Sequence, residues 1–137
     1  MTSRKRTLTG TAALALVLAF LGLAFALPGS SRAASAEAQA RSVAQDFFRT
    51  INAREFARTC DLLSARFYRE NRIPDKAQCA WRLTLGFAWS QRFRFKIVAV
   101  RVRGGRALVR ALADGAPGEV VLVREAGSFK VLALRGS

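Results

Sequence analysis

A mainly apolar, uncharged run near the N-terminus constrains this chain more than any other feature. The run extends from Leu8 to Leu27, and a helix of 20 residues at about 1.5 Å per residue covers roughly 30 Å, the thickness of a bilayer's hydrocarbon core. Arg4, Lys5 and Arg6 precede the run, whereas only Arg32 follows it closely. Because basic residues near a membrane span tend to stay in the cytoplasm, we expect the remainder of the chain to be exported.

The fate of this leader is left open by the sequence. Residues 1–33 are interpreted either as a cleaved signal peptide or as a signal anchor with a transmembrane helix over about residues 8–27. The run is longer than the usual signal core of about 7 to 15 residues, which favours an anchor. Small residues at 31–36 would also suit cleavage. An anchor predicts a single-pass protein of the cell membrane with residues 34–137 outside, and cleavage predicts secretion.

The chain contains two cysteines, Cys60 and Cys79, and no histidine. In an oxidising compartment, an even cysteine count in a small domain indicates a disulfide. Zinc would require four ligands, and two thiols without a histidine do not supply them. Redox-active cysteine pairs are normally separated by two residues, whereas these two are 19 positions apart. Free thiols and an intermolecular bond remain as alternatives. We therefore predict an intramolecular Cys60–Cys79 bond that stabilises the domain by roughly 3 kcal/mol, and we predict no metal and no cofactor.

Three helices are predicted after the leader. Apolar residues recur at helical spacing over about residues 34–53, with Ser35 as the N-cap and Asn52 as the stop. A second, short helix begins at about residue 54, and a third extends over about residues 74–87. Each cysteine falls on the apolar face of one of the last two helices, so the predicted bond would join them.

From residue 93 onward, apolar and polar residues alternate as they do in β-strands. Four strands are predicted, at residues 93–103, 106–113, 118–125 and 128–135. Glycine-containing turns separate them, which predicts an antiparallel meander. In the first strand the apolar positions change from odd to even between Ile97 and Val98. This change predicts a β-bulge in a curved sheet, or else a strand buried on both faces at that point.

Helices followed by an antiparallel meander are the element order of the NTF2-like superfamily. The chain resembles small exported actinobacterial members of that superfamily in four segments: Cys60-Asp61-Leu62-Leu63-Ser64, Gln78-Cys79-Ala80, FKIVAVRVRGGRALVRA and FKVLAL. The resemblance covers about residues 37–135. It implies an α+β fold in which three helices pack on a curved four-stranded antiparallel sheet and form a cone with an apolar mouth.

Large aromatic side chains are expected where the helices meet the sheet. They are Phe47, Phe48, Trp81, Phe87, Trp89 and Phe93. These residues would either line a small-molecule pocket or fill the core, and we favour the core. An enzyme of this fold needs an acid or base inside the cone. The chain has no histidine, and Asp46 is interpreted as solvated rather than inward-facing. We therefore expect no catalytic activity.

The chain carries a net charge of +14, and removing Arg4, Lys5, Arg6 and Arg32 leaves 19 basic against 9 acidic residues. Such a field attracts anionic membrane surfaces, phosphate-rich polymers and acidic proteins. Export argues against nucleic acid as a partner. We predict a membrane-associated binding or scaffold module outside the cytoplasm that meets an envelope complex or an anionic envelope surface. In architecture it is similar to membrane scaffold proteins of type IV secretion and to Mce-associated proteins. A carrier of small apolar ligands is the first alternative, and an enzyme with an acid in the cone is the second.

Overall fold

A computed structural model describes residues 28–136 of the chain. The chain divides into two compact units, Met1–Ala34 and Ser35–Ser137, and the fold below is that of the second. The predicted transmembrane segment over about residues 8–27 lies outside the described residues. Within residues 28–136, no helix combines the length and the apolar character needed to cross a bilayer.

The described chain is an α+β fold with four helices followed by four strands. The helices are α1 (Pro28–Asn52), α2 (Phe56–Asp61), α3 (Ala65–Glu70) and α4 (Lys76–Gly86). The strands are β1 (Phe95–Arg103), β2 (Arg106–Ala113), β3 (Ala116–Glu125) and β4 (Ser128–Gly136). They form one antiparallel sheet in the order β1-β2-β3-β4, so the predicted meander is confirmed.

Helix α1 begins earlier than predicted and ends where predicted. It starts at Pro28, so the expected N-cap, Ser35, lies inside the helix. Proline suits a first helical position because its fixed φ is already helical and it has no N–H to satisfy. The helix ends at Asn52, and Arg54 then adopts a φ of +61°, which turns the chain toward α2.

One short helix was missing from the prediction. Helix α3 occupies the segment that was expected to connect the second and third helices. Ser64 caps it, accepting a hydrogen bond from the Phe67 amide at 3.0 Å. The carboxylate of Glu125 accepts a further bond from the Ala65 amide at 2.9 Å. A helix this short depends on such caps because few of its amides have partners within the helix.

The predicted bulge is confirmed, with one correction. The register of β1 against β2 shifts between Ile97 and Ala99. Val98 is therefore the extra residue, and it is 55% exposed rather than core-facing as the alternation suggested. A second shift, between Val121 and Leu122 of β3, was not predicted. Both irregularities favour extra twist and bend in their strands.

Helices pack on one face of the sheet, here called the inner face. The core joins the helical residues Ala40, Ala44, Phe47, Ile51, Cys60, Leu63 and Cys79 to the strand residues Ala107, Val109, Val120, Leu122, Phe129 and Val131. The connection before α3 also pairs with β4: the Val131 amide donates to Leu62 at 2.7 Å, and the Ser64 amide donates to Val131 at 2.8 Å. This pairing covers the β4 edge, while the opposite face of the sheet, the outer face, carries most of the strand arginines.

Candidate binding surfaces

The two cysteines lie at bonding distance, as the sequence predicted. Their Sγ atoms are 2.12 Å apart and their Cα atoms 6.1 Å apart, and both side chains are buried. The bond joins α2 to α4. Lys76 and Asp61 add an exposed ion pair of 2.7 Å between the same two helices. The disulfide thus fixes α2 to α4 within the helical layer.

Tyr68 is the one side chain near the disulfide with a shifted pKa. Its hydroxyl donates to the Cys60 carbonyl at 2.8 Å. Burial, and secondarily the negative charge of Asp61, raise the pKa of Tyr68 above its usual value of 10.0. The residue therefore remains a neutral hydrogen-bond donor at physiological pH. Its contacts give it a structural role between α2 and α3.

The six aromatic residues singled out in the sequence do not form one cluster. Phe47 is buried in the core. Phe48 packs edge-to-face against Phe93 at 5.9 Å and stacks on Phe95 at 5.1 Å, a residue that was not on the predicted list. Phe87 lies elsewhere and stacks on Phe56 at 6.0 Å.

The two tryptophans lie at the surface. Trp81 is 57% exposed and Trp89 is 97% exposed. The exposure of Trp81 was predictable from its position in α4. Trp81 follows the buried Cys79 by two positions, which is more than half a turn at about 100° per residue. A residue so placed faces away from the core.

Sequence reasoning also overlooked the second role of Asn52. Its side-chain amide donates to the Phe93 carbonyl at 2.8 Å and accepts from the Phe93 amide at 3.1 Å. These paired bonds hold the segment before β1 against the end of α1. Asparagine at the end of a helix could have indicated a side chain that bonds to backbone. Its partner could not be predicted, because Phe93 lies 41 positions away in the sequence.

An open cavity of about 290 Å³ lies at one end of the sheet. Its lining includes Phe48, Ala111, Ala113, Val120, Leu134 and Glu119. Small side chains create the space, since alanine and glycine occupy the strand ends where larger residues would fill it. Asp46, the acid considered on α1, instead pairs with Arg49 at 2.7 Å, and both are exposed.

Three neighbouring cross-strand rows make up most of the outer face of the sheet. They are Arg101-Leu108-Val121-Ala133, Arg103-Arg106-Val123-Lys130 and Ala99-Arg110-Glu119-Arg135. The first row is mainly apolar and lies between two rows that carry arginines. Several of these side chains line a shallow cavity of about 290 Å³ on this face. These three rows therefore combine five arginines and Lys130 with one glutamate around an apolar centre.

The basic residues are unevenly distributed along the chain. Residues 76–113 contain nine basic residues and no acidic residue. They form α4, the segment after it, β1 and β2.

Neither a metal site nor similarity to known proteins assigns a function to the described residues. Within residues 28–136, no three histidine, cysteine, aspartate or glutamate side chains group closely enough to hold a metal ion. No protein-family model matches the chain, and no curated protein is recognisably similar to it. The resemblance to the NTF2-like superfamily accordingly stays a prediction.

Proposed function

We propose that this chain is a non-catalytic, membrane-associated scaffold module outside the cytoplasm, and that it binds an acidic envelope protein through the outer face of its sheet. The observation that carries the proposal is the apolar row flanked by arginine-bearing rows on that face. Protein interfaces characteristically have an apolar centre and are enriched in arginine. A simple polyanion would engage the charges but would leave the apolar row unused.

The arginines favour carboxylates as the groups they contact. Arg101, Arg103 and Arg106 are exposed and line the same shallow cavity. A guanidinium binds a carboxylate through two parallel hydrogen bonds, which adds orientation to attraction. The surplus of positive charge also increases the rate at which an acidic partner is met. Binding of this kind is expected to weaken as salt concentration rises.

The leader at residues 1–33 supplies the membrane association in this proposal, and the NTF2-like cone supplies the fold of the exported domain. The order of the elements and the two strand irregularities support the cone. The close approach of Cys60 and Cys79 supports an oxidising compartment, since disulfides persist mainly outside the cytosol. The absence of histidine from the sequence and the exposure of Asp46 support a non-catalytic role.

Site-specific photo-crosslinking in the native host tests the outer face. A photoreactive residue replaces the half-buried Leu108 in the full chain, and the matched control carries it at Leu134, which is 53% exposed and lies on another surface. We expect one discrete, protease-sensitive adduct from the Leu108 position only. The double charge reversal Arg101→Glu/Arg106→Glu should remove it. Equal adducts from both positions, or none, would refute the outer-face interface.

Two further measurements test the cellular part of the proposal. N-terminal sequencing of the chain from its host distinguishes an anchor, which keeps the N-terminus at residue 1 or 2, from a leader cleaved near residues 33–36. Thiol alkylation before and after reduction reports whether the cysteines are joined in the cell. A chain found in the cytosol with two free thiols would contradict export.

A second candidate function is supported by the cavity near Phe48. At about 290 Å³ it lies just below the volumes of small-molecule pockets, which run from about 300 Å³. A neutral fluorescent probe such as N-phenyl-1-naphthylamine is expected to bind there with increased emission. The variant Ala113→Leu fills the cavity and should abolish the increase. The control Ala99→Leu, at an exposed position of β1, should retain it, and identical emission from both variants would rule out this candidate.

A further inference from the structure

Three large apolar side chains are exposed at regular spacing along and just after α4. Trp81 and Leu85 are each 57% exposed, and Trp89 is 97% exposed. We call these three residues the tryptophan stripe. Residues four apart in a helix lie on the same face. Past the end of α4, the Phe87 and Ala88 amides continue to donate to Leu83 and Leu85, which carries the helical turn toward Trp89.

The core does not account for the stripe. The opposite side of α4 supplies the core contacts, through Cys79, Leu83 and Phe87. Exposed apolar residues are ordinary when they occur singly. Two tryptophans and a leucine at helical spacing form a directed surface instead, and surfaces of that kind characteristically mark an interaction site.

The charges around the stripe are positive. Arg82 follows Trp81 directly in α4, and its guanidinium donates to the carbonyls of Asn71 and Arg72 at 2.9 and 3.0 Å. The Arg54 guanidinium donates to the carbonyl of Ser90, the residue that follows Trp89. This bond places a positive charge near Trp89. Arg92 follows three positions after Trp89.

Acidic groups near the stripe are few. The acid next to Arg54, Glu55, is paired with Arg58 at 2.8 Å. Asp75 lies at the far end of α4, where it caps the helix by accepting from the Gln78 amide. A partner must therefore offer an apolar layer to the tryptophans and negative charge to the arginines at the same depth.

We propose that the tryptophan stripe lies at the headgroup depth of a bilayer containing anionic lipid, with Arg54, Arg82 and Arg92 near the lipid phosphates. Tryptophan is enriched at this depth because its ring is apolar and its N–H is a donor. Arginines beside an apolar helix face are typical of helices that lie in the interface. A second copy fits less well, since pairing two stripes would bring their arginines together.

This inference rests on the membrane association in the proposed function and adds the orientation of the domain. The stripe belongs to the helical side of the sheet, whereas the arginine rows belong to the outer face. A failure of the stripe therefore leaves the outer-face interface intact, and the converse also holds.

Intrinsic fluorescence tests the inference directly, because Trp81 and Trp89 are the only two tryptophans in the chain. The full chain is reconstituted into vesicles of phosphatidylcholine alone or of phosphatidylcholine with phosphatidylglycerol. Flotation of the vesicles reports membrane association as a whole. Quenching by lipids brominated on the acyl chain, and protection from acrylamide, report the stripe. We expect shorter-wavelength emission, quenching by brominated lipid and protection from acrylamide, each stronger with phosphatidylglycerol.

Variants separate the contributions of rings and charges. Trp81→Phe and Trp89→Phe each leave one reporter, and both should still be quenched by brominated lipid. Arg82→Gln is expected to lower the ratio of docked to undocked molecules about fivefold, from roughly 1 kcal/mol per basic residue near an anionic surface. The matched control Arg103→Gln, on the outer face, should leave quenching unchanged.

Three results would overturn the inference. The chain floats with the vesicles but both tryptophans stay fully accessible to acrylamide, in which case membrane association stands and the stripe does not. The chain does not float, in which case membrane association and the stripe both fail. The emission shifts with protein concentration but brominated lipid does not quench it, which would identify a second copy of the chain as the occupant.

Discussion

The Cys60–Cys79 bond closes a loop whose ends are 19 positions apart. In the chain-entropy model, opening a loop of that size gives the unfolded chain conformational freedom worth about 3 kcal/mol at 25 °C. Folded domains are typically stable by only about 5 to 15 kcal/mol. Reduction is therefore expected to remove between a fifth and more than half of the stability of the domain.

Urea unfolding of the full chain in mild detergent, followed by circular dichroism, measures this loss. With a slope of about 1 to 3 kcal/mol per molar urea, the midpoint should fall by roughly 1 to 3 M when reductant is present. The double variant Cys60→Ala/Cys79→Ala is the matched control. It should show a low midpoint without reductant and no further change with it. Since its two substitutions also remove buried sulfur atoms, its midpoint should be no higher than that of the reduced wild-type chain.

Stabilisation by the disulfide is refuted if reduction leaves the urea midpoint unchanged while mass measurement shows that both thiols have been released. That result would mean that the loop is already constrained in the unfolded chain, or that strain in the folded state offsets the entropy gained. A loss well below 1 kcal/mol would have the same meaning. In either case the disulfide would not be what stabilises the joined helices α2 and α4.

Three further predictions concern stability. Leu122→Ala, in the core, should lower the free energy of unfolding by about 2 to 5 kcal/mol, whereas Leu134→Ala, at a half-exposed position, should change it by about 0.5 kcal/mol or less in the same urea assay. Asn52→Ala removes both bonds to the Phe93 backbone and should speed amide exchange there by about tenfold. The raised pKa of Tyr68 favours its neutral form in the folded state, so this contribution is present below about pH 10 and is lost as pH rises further; Tyr68→Phe should flatten that decline.

The strand half of the fold was predictable because its signals are local. Each hairpin has a glycine at its turn, and Gly104, Gly115 and Gly127 all adopt the positive φ that such turns require. The phase change at Ile97 marked the bulge for the same reason, since side-chain alternation has a period of two. The predicted start of β3 was two residues late because the turn is completed at Gly115, and the strand begins at Ala116.

The helical half was less predictable where distant residues decide the structure. Helix α3 has only six residues, and one of its caps, Glu125, comes from 60 positions away. No local pattern contains that information. The paired bonds between Asn52 and Phe93 are equally non-local. The cysteine pairing, although non-local, was predictable because two cysteines permit one intramolecular bond.

The aromatic residues were misjudged for a different reason. Large side chains were expected to gather between helices and sheet, but the space there is narrow. Ala40 and Ala44 of α1 are fully buried among the core residues, which include Ala107 of β2. Small residues at such positions let a helix lie close to a sheet and leave little volume for additional rings. Trp81 is exposed because its position on α4 faces away from the core, and Trp89 follows the end of that helix.

A core built from small side chains affects which apolar groups remain on the surface of the domain. Burying small side chains yields less apolar stabilisation than burying large ones. The disulfide offsets this difference because it lowers the conformational entropy of the unfolded chain. The large apolar groups outside the core are then available on the surface, where the tryptophan stripe lies on the helical side and the Leu108 row on the outer face. If the stripe docks on a bilayer, the arginine rows face away from it. In the proposed orientation, the basic sheet would face an acidic partner instead of the lipid.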